Sequence, residues 1–230
     1  PVLTKEQAYK IDQDTIENCH LSQADLMDNA GNAVAQFFCE KINNPFNQKV
    51  LVICGKGNNG GDGVIAHSYL KKYNVSSEIF FTEKNHGQSE LIKRYKINNN
   101  DLIFYNDSMT FDKYDWIIDG IFGVGLSRDL DEKYREIVIR INNKNIISID
   151  IPSGVFDFKK KPSTVFVKSK YILTFNYYKI SHFNYPLNNI LVKDIGLKKI
   201  KDCIFSKIEL KDVSNILNDF VLKDDKHKKN

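Results

Sequence analysis

Most markers of a secreted, membrane-spanning or zinc-bearing protein are missing from this chain of 230 residues. Its four cysteines, Cys19, Cys39, Cys54 and Cys203, are widely spaced and form no C-x-x-C pair. That excludes a dense disulfide framework and a thiol redox motif, and points to reduced thiols in a cytoplasmic compartment. The five histidines fall in no H-E-x-x-H or other zinc spacing. No apolar run has membrane length and no signal peptide is visible, so no membrane partner is expected. Pro1 in place of an initiator methionine leaves room for a removed organelle-targeting segment. A large excess of either charge is lacking too. A net charge of +4, with lysines spread along the chain, marks no nucleic-acid surface.

What is present is a regular alternation of elements. Thr4 reads as an N-cap, with Glu6 and Gln7 in the first turn of a helix to about Cys19. Ser22 opens a second helix whose apolar positions, from Ala24 to Phe38, recur at helical spacing. After a break at Pro45 and Asn47, strands are expected at 50–54, 75–81, 102–105, 116–119, 146–150, 171–175 and 190–192. Helices are expected between them at 64–70, 89–96 and 132–141. Continuous apolar strands separated by helices imply an α/β fold. The expected form is a Rossmann-like three-layer sandwich: a mostly parallel central sheet with helices on both faces and two N-terminal helices. No repeat or linker divides the chain, so one domain is expected over residues 1–218, with a charged tail at 219–230.

The densest signal is Gly55-Lys56-Gly57-Asn58-Asn59-Gly60-Gly61-Asp62-Gly63, read as a loop from strand to helix. Gly55, Gly57 and Gly60 fit G-x-G-x-x-G, and uncovered backbone N–H groups ahead of a helix attract an anion. No Lys-Ser or Lys-Thr pair follows, which excludes a Walker A loop. Glycines in such a turn also suit tight helix-on-strand packing, so the pattern alone leaves both readings open. Asn58, Asn59 and Asp62 are additional. A carboxylate beside a phosphate cradle implies that a hydroxyl, a cation or a reacting group is held there as well.

Two further strand ends carry polar residues: Asp119-Gly120-Ile121-Phe122-Gly123-Val124-Gly125-Leu126-Ser127-Arg128 and Asp150-Ile151-Pro152-Ser153-Gly154. In a parallel sheet all three segments meet at one edge. Asn59, Asp119 and Ser153 can each offer a hard oxygen, and backbone carbonyls of the Gly123 to Gly125 loop can complete a shell. One carboxylate among neutral oxygens suits a large monovalent cation such as K⁺. The same residues also serve as loop and turn caps, with no ion.

These segments, with Met27-Asp28-Asn29-Ala30-Gly31, resemble the NAD(P)H-hydrate epimerase family, also described as the apolipoprotein A-I-binding protein family. Thr174-Phe175, Lys179 and Asp194-Ile195-Gly196 resemble that family's later strands, and the likeness spans most of residues 1–200. The chain departs from the family at Asp28, where Glu is usual, and at Ser181 and Leu187, where glycine is usual. The resemblance implies a homodimer with one K⁺ per site. By position, Asn58, Asn59, Gly60, Gly61 and Asp62 would contact the hydrated cofactor, as would Gly123, Val124, Gly125, Leu126, Ser127, Arg128, Asp129 and Asp150. Asn59, Asp119 and Ser153 would hold K⁺. His227-Lys228 is similar to the segment that, in bifunctional members, leads into an ATP- or ADP-dependent dehydratase domain.

The implied substrate is NADHX or NADPHX, the reduced cofactor hydrated at C6 of its nicotinamide ring. Inversion at C6 proceeds by loss and return of water through an iminium ion, or by ring opening and closure. Both routes need proton transfer, and the first gains from a carboxylate near the developing cation. Asp150 is the leading candidate, Asp62 the second and Lys179 the third. Two rivals stand beside this reading. A nicotinamide-dependent dehydrogenase would use Glu78 or Glu83 on the ribose. A non-catalytic Rossmann-like module would dimerise and bind RNA.

Overall fold

The structure, a computed structural model, describes residues 2–155, 164–184 and 189–199. Leu187, Cys203 and the expected tail with its domain boundary lie outside the described residues. Leu3–Lys198 form one compact unit. In chain order the elements are β1 (Val2–Leu3), α1 (Lys5–Asn18), α2 (Gln23–Lys41), β2 (Lys49–Cys54), α3 (Asn58–Lys72), β3 (Ser76–Phe81), α4 (Ser89–Arg94), β4 (Leu102–Phe104), β5 (Trp116–Gly120), α5 (Glu132–Ile141), β6 (Asn145–Ile149), β7 (Tyr171–Phe175), β8 (Tyr178–Lys179) and β9 (Ile190–Lys193).

Seven strands form one sheet in the order β4-β3-β2-β5-β6-β7-β9. Each of its pairings is parallel. The side chains of β2 alternate as strand geometry requires. Val50, Val52 and Cys54 join a core with α2 and α3 on one face. Leu51 and Ile53 join a second core with α5 on the other. Burial on both faces is why the strands read as unbroken apolar runs.

The two N-terminal helices start at capping boxes. Thr4 Oγ1 accepts from Gln7 N at 3.3 Å, and Ser22 Oγ accepts from Asp25 N at 3.2 Å. Each cap is worth about 1 kcal/mol. Thr15 further fixes α1, its hydroxyl donating to Ile11 O at 2.7 Å and accepting from Lys198 N at 2.9 Å.

One expectation needs correction. The residues Asn58 to Gly63 are not loop: α3 begins at Asn58, six residues ahead of the expected start. Glycine is a poor helix former, but here packing overrides propensity. A Cβ at Gly60 would fall on the Gly55 carbonyl oxygen, and one at Gly61 on the Met27 side chain. One at Gly63 would come within 2.9 Å of Cys54 Sγ. These glycines let α3 lie directly on β2 and α2. The turn itself is only Gly55-Lys56-Gly57.

Because the chain leaves β2 toward β3 and β4 and then returns to β5, strand order reverses between β2 and β5. That reversal opens a crevice beyond the strand ends. Register sets its floor: Ile53 pairs with Asp119 and Cys54 with Gly120, while Asp119 pairs with Ser148 on β6.

Candidate active site

A cavity of about 850 Å³ occupies this crevice. Of the expected cofactor contacts, Asn58, Asn59, Asp62, Gly123, Val124, Gly125, Leu126, Ser127, Arg128 and Asp150 line it. Gly60 and Gly61 are packed into the helix interface instead. Asp129 is exposed and outside the lining. Helix α1 adds a wall that the sequence reading did not anticipate, including Tyr9 and Asp12.

The anion end is the start of α3. Gly57 is its N-cap and supplies no side chain to satisfy the first N–H groups. A Cβ on Gly57 would meet nothing within 4 Å, and its φ of −83° needs no glycine. Neither packing nor backbone conformation demands glycine at this position. The bare backbone leaves the first N–H groups of α3 open to a ligand. The amide of Gln88, unnoticed in sequence, holds the turn by donating to Lys56 O at 3.1 Å and Gly57 O at 3.0 Å.

Behind the floor lies Asp119, fully buried. Its carboxylate accepts from Ser153 Oγ (2.6 Å), Ser153 N (2.9 Å), Ser148 Oγ (2.7 Å) and Ile121 N (3.2 Å). Burial pushes its pKa up, and these hydrogen bonds pull it part-way back. Asn59 Nδ2 donates to Phe122 O at 2.9 Å, and Ser153 Oγ accepts from Phe122 N at 3.0 Å. Asn59, Asp119 and Ser153 are thus brought together around the Phe122 peptide.

Asp150 follows β6 at a φ of +61°. Aspartate tolerates that left-handed conformation better than most residues. It turns the carboxylate toward β7 and β8, where Oδ1 accepts from Lys179 Nζ at 2.6 Å and from Thr174 Oγ1 at 2.8 Å. Its backbone oxygen meets His182 Nε2 at 2.7 Å. Burial opposes ionisation of Asp150, but the Lys179 charge, His182 and the hydrogen bonds outweigh it, so the carboxyl sits below its usual range. Lys179 is therefore the counter-ion of Asp150.

Asp62 is the opposite case. It is 9 % exposed and has no hydrogen-bonding partner among the described residues. Burial, then the charges of Asp150 and Asp12, push it well above the ordinary carboxylate range, against a smaller pull from Lys179. Two neighbouring carboxyls are thus pushed in opposite directions, the arrangement that assigns acid and base in many active sites.

Glu78 and Glu83, the acids a dehydrogenase would place on a ribose, are engaged elsewhere. Glu78 binds Lys113 at 2.7 Å and the Tyr114 hydroxyl at 2.6 Å. Glu83 binds Lys133 and the Tyr134 hydroxyl. Neither lines the cavity.

Residues 23–181 match the family described as YjeF-related protein N-terminus. The chain belongs to this family. It is 36% identical over 159 residues to the NAD(P)H-hydrate epimerase of Entamoeba histolytica, covering 66% of this chain and 69% of that one. The NAD(P)H-hydrate epimerase of Leuconostoc citreum is 29% identical over 90% of this chain and 96% of its own length. A bifunctional NAD(P)H-hydrate repair enzyme from Dictyoglomus turgidum is 29% identical over 92% of this chain, which spans only 44% of that enzyme. The crystal structure of yeast ynu0 has the same fold, with a TM-score of 0.69, 22% identity, and coverage of 84% of this chain and 88% of the yeast one. Among the described residues no helix is long and apolar enough to cross a membrane.

Proposed function

We propose that the chain is an NAD(P)H-hydrate epimerase, interconverting the R and S forms of NADHX and NADPHX. One observation carries the reading: in a member of this family, a single cavity holds both Asp150, whose carboxyl Lys179 keeps below its usual range, and Asp62, whose carboxyl burial pushes well above it. Inversion at C6 needs a proton donor for the departing hydroxyl, and a protonated Asp62 is one. It also needs negative charge beside the ring as the iminium forms, and Asp150 supplies it. Lys179 and Thr174 hold the Asp150 carboxylate in place. The start of α3 takes the pyrophosphate, with Lys56 and Arg128 on the cavity wall.

The donor set around Asp119 fits K⁺. Asp119 is a fully buried carboxyl with no Lys or Arg partner among the described residues, and a cation would offset its charge. Asn59, Asp119 and Ser153 would hold the ion. When bound it supplies a fixed positive charge that ties the ends of β5 and β6 to α3, and it is too weak a Lewis acid to generate hydroxide. Three carboxyls on the cavity wall, Asp12, Asp62 and Asp150, suit an RNA backbone poorly. Repair makes sense of such an enzyme only beside a dehydratase that accepts one epimer, fused or separate, and a homodimer is the assembly this reading expects. The described cysteines are free thiols, in keeping with a reducing compartment such as the cytoplasm.

The test supplies pure R-configured hydrated cofactor, with and without K⁺, and follows the S form by chromatography. Conversion proportional to protein and weakened by K⁺ removal is expected. A rate no faster than buffer overturns the assignment.

A further inference from the structure

Helix α1 brings a third carboxyl to the cavity. Asp12 is half-buried and lines the same wall space as Asp62 and Asp150. Three elements therefore aim an acid at one volume: α1, α3 and the end of β6. Among the described residues neither Asp12 nor Asp62 makes a side-chain hydrogen bond. No unpartnered side-chain oxygen among the described residues is sealed from solvent, so these carboxyl oxygens open onto the cavity, where a bound molecule can meet them.

Inversion makes a particular demand on such a site. The hydroxyl leaves C6 from one face of the ring and water returns to the other. One carboxyl does not reach both faces. We propose that Asp12 is the second proton carrier of the reaction, serving the ring from α1 while Asp62 serves it from α3. This rests on the epimerase reading above.

Asp62 gives its proton to the C6 hydroxyl as the C6–O bond breaks, releasing water and leaving an iminium cation beside Asp150. A water adds to C6 from the other face, forming a new C6–O bond, and its proton passes to Asp12. Nothing is oxidised or reduced. The reverse inversion exchanges the two roles, and solvent restores the starting protonation between turnovers.

The charges around Asp12 suit a carrier that gains and loses a proton near neutrality. Burial raises it, the Lys179 ammonium lowers it and the Asp150 charge raises it, leaving it at about 6. Asp62 on α3, Asp150 after β6 and Lys179 on β8 are its charged neighbours. The remaining charges on the cavity wall are Lys56 and Arg128.

Asp12→Asn, compared with Asp12→Glu, tests the assignment. The expected result for Asp12→Asn is a fall in kcat of about 100-fold or more, with KM nearly unchanged. Fluorescence titration with unhydrated NADPH should give the wild-type affinity, and thermal melting should report an intact fold. Wild-type kcat/KM for the R form should fall below about pH 6, and Asp12→Asn should lose that limb while Asp12→Glu recovers part of the rate. Wild-type kcat with an unchanged acid limb in Asp12→Asn overturns the proposal. So does a loss confined to KM, which makes Asp12 a binding contact. A wild-type chain that binds NADPH but inverts nothing overturns the function itself, and the Asp12 role with it.

Discussion

Asp119 and Asp62 are both buried carboxyls near the same sheet edge, yet their surroundings are opposite. Asp119 sits beneath the floor and accepts four hydrogen bonds from Ser153, Ser148 and Ile121. Asp62 faces the cavity with none. The first environment is built to hold a charge still, and the second to let a proton move. The contrast separates a structural, ion-binding region from a reacting one, although sequence alone places both acids in strand-end segments that meet at one sheet edge.

The largest break in that contrast is at the reacting side. Asp150→Asn should slow epimerisation by two or more orders of magnitude, in line with loss of transition-state charge stabilisation. It also strands the Lys179 ammonium, costing about 3 kcal/mol of stability. Asp150→Asn with Lys179→Met should regain the stability in a denaturant melt and remain inactive.

Next comes Asp62→Asn, for which activity and stability should move in opposite directions. Turnover should fall about 100-fold, while stability at neutral pH should rise by about 1 kcal/mol or more, since the variant no longer has to take up a proton on folding. Asp62 keeps its proton in the folded chain at pH values where the unfolded chain has released it. Wild-type stability should therefore fall as pH rises from about 4 toward neutrality, and the variant should flatten that slope. Equal slopes for the two proteins would contradict the protonated Asp62.

The hydrogen-bonded side is probed by K⁺. If Asn59, Asp119 and Ser153 hold the ion, adding K⁺ should stabilise the wild type, by about 2.7 kcal/mol at a hundred times its Kd. Asp119→Asn should abolish this response in calorimetry. A response that survives in Asp119→Asn places the ion elsewhere.

Gly57→Ala gives the smallest effect. Stability should change by less than about 1 kcal/mol, because the added Cβ meets nothing. KM should rise roughly tenfold as the methyl pushes the phosphate from the α3 N-terminus, a loss of about 1.4 kcal/mol in binding. Unchanged KM would remove the phosphate from that end.

The strands were legible because both faces are buried, so their apolar runs are unbroken; β7 and α5 match their expected limits. The acids at strand ends were legible for the same reason, since a strand boundary fixes where Asp119 and Asp150 emerge. The start of α3 was not, because glycine propensity argues against helix and only the packing on Gly55, Met27 and Cys54 favours it. Asp12 was hidden among the polar residues of α1, where a solvated face and a cavity wall look alike in sequence. Gln88 stands outside any periodic pattern, and only the fold shows its amide reaching back to the turn before α3.

The most direct measurement follows R-configured NADHX by NMR in ¹⁸O-labelled water with the purified chain. The account predicts S form appearing in proportion to protein, with solvent oxygen entering C6 once per inversion. Inversion that keeps the original oxygen would contradict the iminium route, and no acceleration over buffer would contradict the function.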